Sequence, residues 1–296
     1  MKSIYSTAEL AEILNVNEST IKRWSDAGDL ACMKTRGGHR RFSAGSIMEF
    51  VRQNNMSASV AGVDAFPDED LRAHLIAGNF HRLVPEMKKE MLAGNVQGIV
   101  RMLRSAYVAR PDLLALISEL VFPPLVEIGE AWHAKSLSID REHIASNSLQ
   151  EALAEFSGEL HRKPANGLKA VTSCSEGQWH EVAIRCVGYY LAAEGWSVVS
   201  LGQSPPTASL VHAIKTEKPD LVALSVVTPA HERALLNEVN RTICPAARRA
   251  KARLAVGGPN IKARWSGKVR ADYLCDTIDE CRIFSDPARY LRGHSS

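Results

Sequence analysis

Apolar residues recur along this chain with two different periods, and the places where the period fails or changes mark out its parts. Leu10, Ile13 and Leu14 fall on one face of a helix that Ser6 or Thr7 can cap. Asn15-Val16-Asn17 breaks that pattern, and a second helix begins at Ser19-Thr20-Ile21-Lys22-Arg23-Trp24 and ends at Gly28. Two short helices joined by a tight turn predict a helix-turn-helix over residues 1–54. Residues 53–62 are small and polar without a period, so a flexible linker is expected over 55–67, ending at Pro67. Helical spacing returns at Leu71–Leu75, Leu83–Met91, Ile99–Leu103, Leu113–Ile128 and Ile144–Leu160. The short joints Gly78-Asn79 and Ala109-Arg110-Pro111 make residues 68–162 an expected antiparallel four-helix bundle.

After residue 166 the pattern becomes short apolar runs: Ala170-Val171-Thr172, Ser197–Leu201, Leu221–Val227 and Leu254-Ala255-Val256. Each precedes a helical stretch, which predicts a parallel sheet covered on both faces. About five strands would make residues 166–296 a flavodoxin-like (Rossmann-like) α/β domain that binds ligands at the carboxyl ends of its strands. The expected fold class is therefore multidomain: an all-α winged helix-turn-helix head, a four-helix-bundle middle and an α/β domain.

Composition narrows the picture only a little. The chain has 296 residues, 45% hydrophobic and 23% charged, with a net charge of +3, as in ordinary soluble proteins. The start resembles no signal peptide, and no apolar run approaches the ~20 residues of a membrane span, so a cytoplasmic protein without a membrane partner is expected. The six cysteines are scattered without C-x-x-C spacing, which argues against a zinc site or a disulfide framework.

The placement of charge says more than its sum. Lys34-Thr35-Arg36-Gly37-Gly38-His39-Arg40-Arg41-Phe42 carries four formal positive charges and no acid. Gly37-Gly38 suits a tight hairpin. Such a hairpin would lay Arg36, Arg40 and Arg41, with His39 beside them, along a phosphate backbone. Lys22 and Arg23 on the second helix could do the same or reach base edges. A solvated basic loop is the plainer alternative. The stretch from Tyr5 to Phe42 resembles the head of MerR-type regulators in Tyr5-Ser6-Thr7, in Ile21–Trp24 and in the wing Arg36–Phe42. That resemblance implies binding of double-stranded operator DNA as a dimer or higher oligomer.

A second constellation lies in the α/β part. Ser175-Glu176-Gly177-Gln178-Trp179-His180-Glu181-Val182-Ala183 comes directly after the first expected strand, where such folds present ligand loops. An exposed His180 can offer a neutral imidazole nitrogen to a metal ion, and its other nitrogen needs an orienting partner. Taken alone, it is more often a plain surface histidine. The stretch resembles the D/E-x-H-x-x-G motif of cobalamin-binding domains, which implies that His180 is the lower axial ligand. Ser225-Val226-Val227-Thr228 resembles the loop beside the nucleotide tail, and Gly257-Gly258 the glycine pair near the buried base. The motif's acid is Gln178 here and its final glycine is Ala183. Those departures keep haem, another tetrapyrrole or altered ligation open as alternatives. Cys174 is either a soft ligand for haem iron or simply a small strand-end residue.

The helical part supplies a third motif. Trp132 is followed, after nine residues, by Glu142-His143. On the residues alone, Trp132 could be a core anchor, and Glu142-His143 could lie in the first turn of a helix begun near Ser138, where an acid is favourable. The spacing also resembles the signature of CarH/LitR-type light-sensing regulators, and the resemblance of the three parts together covers nearly the whole chain. It implies that Trp132, Glu142 and His143 cover the upper face of adenosylcobalamin and that His133 can become a second axial ligand. It further implies a repressor, not an enzyme, that tetramerises in the dark and falls apart when light removes the adenosyl group. Two alternatives remain: the same architecture sensing haem without photochemistry, and a corrinoid carrier of a methyl-transfer system.

Overall fold

The computed structural model describes residues 4–14, 16–35, 37–54, 71, 74–75, 79–227 and 232–286. The chain divides into two compact units, Met1–His161 and Arg162–Ser296. The linker expected over 55–67, Arg36 and Thr228 lie outside the described residues.

In the first unit, helices α1 (Thr7–Ile13) and α2 (Glu18–Ala27) form the expected pair. Gly28, at φ 84°, closes α2 in the left-handed conformation that glycine adopts without strain. The basic stretch folds as strands β2 (Met33–Lys34) and β3 (Arg40–Ser43), with Gly38 at φ +76° in the turn and the Thr35 N–H donating to the His39 carbonyl at 3.0 Å. The head is not all-α as expected. Strand β1 (Ile4–Ser6) pairs antiparallel with β3, Tyr5 opposite Phe42, giving a three-stranded sheet in the order β1-β3-β2. Three residues are too few to show an alternating pattern, and β1 exists because β3 offers it a free edge. The Ser43 hydroxyl accepts the Ser46 N–H (3.1 Å) and caps α3 (Ala44–Gln53). Leu10, Leu14, Ile21, Leu30, Phe42 and Phe50 make the core between these layers.

Val108, on a helix of the middle region, packs against that same core, and His161 Nε2 lies 3.5 Å from a Glu49 carboxylate oxygen. The head thus rests on the helices of the middle region. These are α4 (Val84–Leu92), α5 (Val96–Ala109), α6 (Leu113–Leu116), α7 (Phe122–His133) and α8 (Ile139–Ser157). Asn95 caps α5 by accepting the Gly98 N–H (3.0 Å), and Asp112 caps α6 by accepting the Ala115 N–H (3.1 Å). Helices α6 and α7 run into each other through a π-helical turn, Ile117–Val121. Pro123 and Pro124 open α7 and carry no N–H for the carbonyls four residues back, so the helical ladder widens at that point. Helix α8 packs along both α4 and α5, and Arg104 ties α5 to Glu159 just beyond its end by a two-pronged ion pair.

The second unit is a five-stranded parallel sheet in the order β5-β4-β6-β7-β8. The strands are β4 (Lys169–Cys174), β5 (Ser197–Gly202), β6 (Leu221–Ser225), β7 (Arg253–Gly257) and β8 (Tyr273–Cys275). Central strands β4 and β6 are buried almost end to end, which is why their sequences read as unbroken small and apolar runs. Helices α9 (Val182–Ala193), α10 (Thr207–Glu217), α11 (Glu232–Glu238), α12 (Cys244–Arg249) and α13 (Ile261–Trp265) connect them. Strand order reverses between β4 and β6. In open sheets that is where a crevice forms at the carboxyl ends of the strands.

Candidate functional site

The segment leaving β4, Ser175–Glu181, lies at that reversal and is tied down on several sides. The Ser175 N–H donates to the Ser225 carbonyl at the end of β6 (3.0 Å). The Gln178 N–H returns to the Ser175 carbonyl (3.0 Å), closing a turn that Gly177 makes at φ +79°. The Gly177 N–H donates to the Ser204 hydroxyl (3.0 Å), and the Glu176 carboxylate accepts the Thr207 N–H (2.9 Å) at the start of α10. An acid there is favoured by the helix dipole. The outcome is a sorted loop: Gln178 and Glu181 are buried, while Trp179 and His180 are exposed.

The imidazole therefore stands in the open where a ligand would reach it. Gln178, which holds the acid's place in the motif, points into the fold instead. The loop's buried carboxylate is Glu181, which no sequence pattern singled out; it pairs with Arg185 at 2.9 Å. Cys174 is buried and its thiol donates to the His180 carbonyl (3.6 Å). Burial, with Glu181 nearby, pushes that thiol up to about 12. A soft iron ligand needs a reachable thiolate, so the strand-end role is the one Cys174 fills.

At the neighbouring strand ends, Ser225 is buried, and the Val226 N–H donates to the Gly257 carbonyl (2.8 Å). A Cβ on Gly258 would stand 1.9 Å from the Val226 carbonyl oxygen, whereas one on Gly257 would meet nothing nearer than the Cys275 carbonyl at 3.7 Å. The motif resemblance assigns this pair to close approach of a ligand. Gly258 is required by the approach of one backbone to another.

On the first unit, Trp132 is not a core anchor: it is 37% exposed at the end of α7, with its ring centroid 4.6 Å from that of His133. Glu142 does lie in the first turn of α8, behind the N-cap Ser138. Its carboxylate accepts the Ser146 hydroxyl (2.6 Å) and meets Nδ1 of the exposed His143 at 2.9 Å. The large apolar side chains left exposed among the described residues are Met33, Val126, Trp132, Ile139, Ile144 and Trp179. Four of these six fall within residues 126–144 and a fifth is next to His180. No group of three or more His, Cys, Asp or Glu that could hold a metal ion occurs among the described residues. Within the second unit, the reachable His180 imidazole with exposed Trp179 beside it suits a flat macrocycle that carries its own metal.

At the basic end of the molecule, Lys22 and Arg23 are exposed on α2, and His39 is exposed at the hairpin. Lys22 is only loosely engaged, 3.6 Å from Glu18. Arg40 and Arg41, adjacent on β3, project to opposite faces of the small sheet. Arg40 donates to Asp26 of α2 at 2.6 Å and is 18% exposed.

Comparison with known proteins adds the class. Residues 4–55 match a helix-turn-helix domain model, and residues 168–278 and 83–156 each match a B12 binding domain model. The chain thus joins a segment that matches a helix-turn-helix domain to two segments that match B12 binding domains. It is 26% identical to the HTH-type transcriptional repressor CarA of Myxococcus xanthus over 80% of this chain and 82% of that one. It is 31% identical to CarH of the same organism over 40% of this chain and 39% of the relative. Its fold is similar to that of the Methanosarcina barkeri monomethylamine corrinoid protein, at a TM-score of 0.53 and 19% identity over 66% of this chain and 93% of that structure. In the order of its matched segments and in sequence the chain is similar to these two repressors. No described helix is long and apolar enough to cross a membrane.

Proposed function

We propose that this protein is a transcriptional repressor whose hold on operator DNA is controlled by a bound corrinoid, adenosylcobalamin in the active form. The observation that carries the reading is the union in one chain of a helix-turn-helix head with two B12-binding regions, colinear over most of its length with a repressor. The domains are taken as 1–54 for a winged helix-turn-helix, 68–162 for a four-helix capping bundle and 166–296 for the corrinoid domain. His180 would hold the metal of the bound corrinoid, Ser225, Thr228, Gly257 and Gly258 would stand beside its tail, and Gln178 would support the loop from inside. Trp132, His133, Glu142 and His143 are assigned to the upper face. A bound adenosylcobalamin supplies a light-labile bond.

The chain's own contribution is recognition. Trp132 offers a flat apolar surface, and Glu142, held by Ser146, keeps acceptor capacity for an upper group. For the ligand to switch anything, it must bind the assembled, DNA-holding form better than the dissociated one. A homotetramer in the dark and smaller species after illumination are the expected result of that coupling.

The test is size-exclusion chromatography and DNA binding of the purified protein with adenosylcobalamin, in the dark and after illumination, and with haem in a parallel arm. Dark assembly that light reverses supports the reading. Assembly driven by haem and blind to light would replace adenosylcobalamin with the haem alternative, and indifference to both would end the sensor reading. The chain is also 22% identical to monomethylamine corrinoid protein 1 of Methanosarcina acetivorans over 88% of that protein. A carrier role on that ground leaves the helix-turn-helix head without a task.

A further inference from the structure

Four arginines and lysines in the hairpin invite the assumption that each meets DNA. The geometry separates two of them. Arg40 reaches across to Asp26, and the contact is short, 2.6 Å. The guanidinium is mostly covered, and its Nε is cut off from solvent without a partner, so no phosphate can reach that nitrogen. Asp26 itself is 56% exposed and is held below the usual carboxylate range by the hydrogen bond from Arg40. Asp26 lies in the last turn of α2, the helix that also carries Lys22 and Arg23. Arg40 is the first residue of β3 and pairs with Lys34 across the hairpin. The contact therefore links the hairpin to the helix at the base of both candidate DNA-reading elements.

We infer that Arg40 is a positioning residue rather than a phosphate ligand: Asp26 holds it, and the pair fixes the angle of the hairpin on α2, leaving phosphate contact to Arg41, Lys22 and Arg23. The inference rests on the DNA-binding reading above and makes an unusual demand of Asp26. An acid beside a DNA-binding surface ordinarily repels phosphate, so its removal ordinarily tightens binding. Here its removal loosens binding, because it frees the hairpin.

The experiment uses the full-length protein and random-sequence duplex DNA across a salt series, with Asp26→Ala, Arg40→Ala, the double variant and Arg41→Ala. Asp26→Ala and Arg40→Ala should each weaken binding about threefold to fivefold, as expected for one partly covered ion pair. The double variant should be no worse than either single one. The log-log salt slope should stay the same in all three and fall by about one in Arg41→Ala. Tighter binding by Asp26→Ala, or a slope lowered by one in Arg40→Ala, would overturn the inference. Hydrogen exchange of the Thr35 amide in the free protein provides a readout that needs no DNA. Both Asp26→Ala and Arg40→Ala should speed it, and an unchanged rate in Asp26→Ala rejects the positioning role. Failure of the wild-type protein to bind duplex DNA would instead reject the DNA-binding reading, and exchange would still decide what Arg40 does.

Discussion

The basic hairpin and the loop after β4 are both short, glycine-containing turns that present the proposed functional side chains, and they achieve it differently. The hairpin is held by two ladder pairs and by one ion pair from its own arginine, so part of its charge is spent on posture. The β4 loop is held mostly by backbone groups, with Ser225 and Ser204 as partners and its own Glu176 carboxylate reaching Thr207, and its imidazole is left out of that bracing. A parallel sheet brings several strand ends together and can brace a loop from its neighbours. A hairpin in a small head has no row of parallel strand ends beside it, and its own arginine supplies the tie to the helix.

The largest effect is expected at the sheet. Gly258→Ala forces a Cβ against the Val226 carbonyl, and we expect a loss of about 3 kcal/mol in the stability of the α/β unit, against little change for Gly257→Ala. Thermal unfolding of the two variants decides whether the strand ends are as rigid as the bracing requires. Next, His180→Ala should change the absorption spectrum of bound corrinoid and lower affinity at least as far as the ~10–100-fold typical of altered metal surroundings. Cys174→Ser should leave the spectrum alone; a changed spectrum there and none in His180→Ala would invert the assignment of the loop. Smaller still is the effect of Arg41→Ala on DNA, a shallower salt slope by about one unit. If the slope ignores Arg41, the hairpin's free charge lies elsewhere.

At mildly alkaline pH the smallest effect is in the titration of Cys174. Its folded value, about 12, lies above the ordinary thiol value of 9.0, so burial favours the neutral form. That contribution to stability is fully present below pH 9 and declines as pH rises from there towards 12. Alkylation of wild-type protein at mildly alkaline pH should spare Cys174 until the unit unfolds, and rapid native-state labelling would show the strand end to be open.

Much of the sheet was legible because β4 and β6 are buried on both faces, so Val171, Val222 and Leu224 sit in unbroken runs. Strands β1 and β8, three residues each, left no such trace and are made by the neighbours they pair with. Gly28 at the end of α2 and the Gly37-Gly38 turn were readable because backbone conformation dictates the residue. Which way a loop side chain points is a different matter. Gln178 and His180 have the same local signal, and only the ties made by Ser204, Thr207 and Ser225 turn one inward and leave the other out. For Arg40 and Arg41 the sequence shows equal charges, and the difference between them is an acid fourteen residues upstream.

The widened turn at Ile117–Val121 sets how α7 is rotated about its own axis. Each residue advances an α-helix by about 100°, so an extra residue in one turn rotates everything downstream relative to everything before it. Leu114 and Leu116 face the interior on one side of that turn, and Trp132 and His133 face outward on the other. The turn acts as an indexing step. A chain lacking Ser118 would keep the same residues on a straighter helix and present a different flank at its far end. In such a variant, we expect Trp132 to lose solvent exposure, measurable as reduced quenching of its fluorescence by iodide, while the α/β unit stays folded.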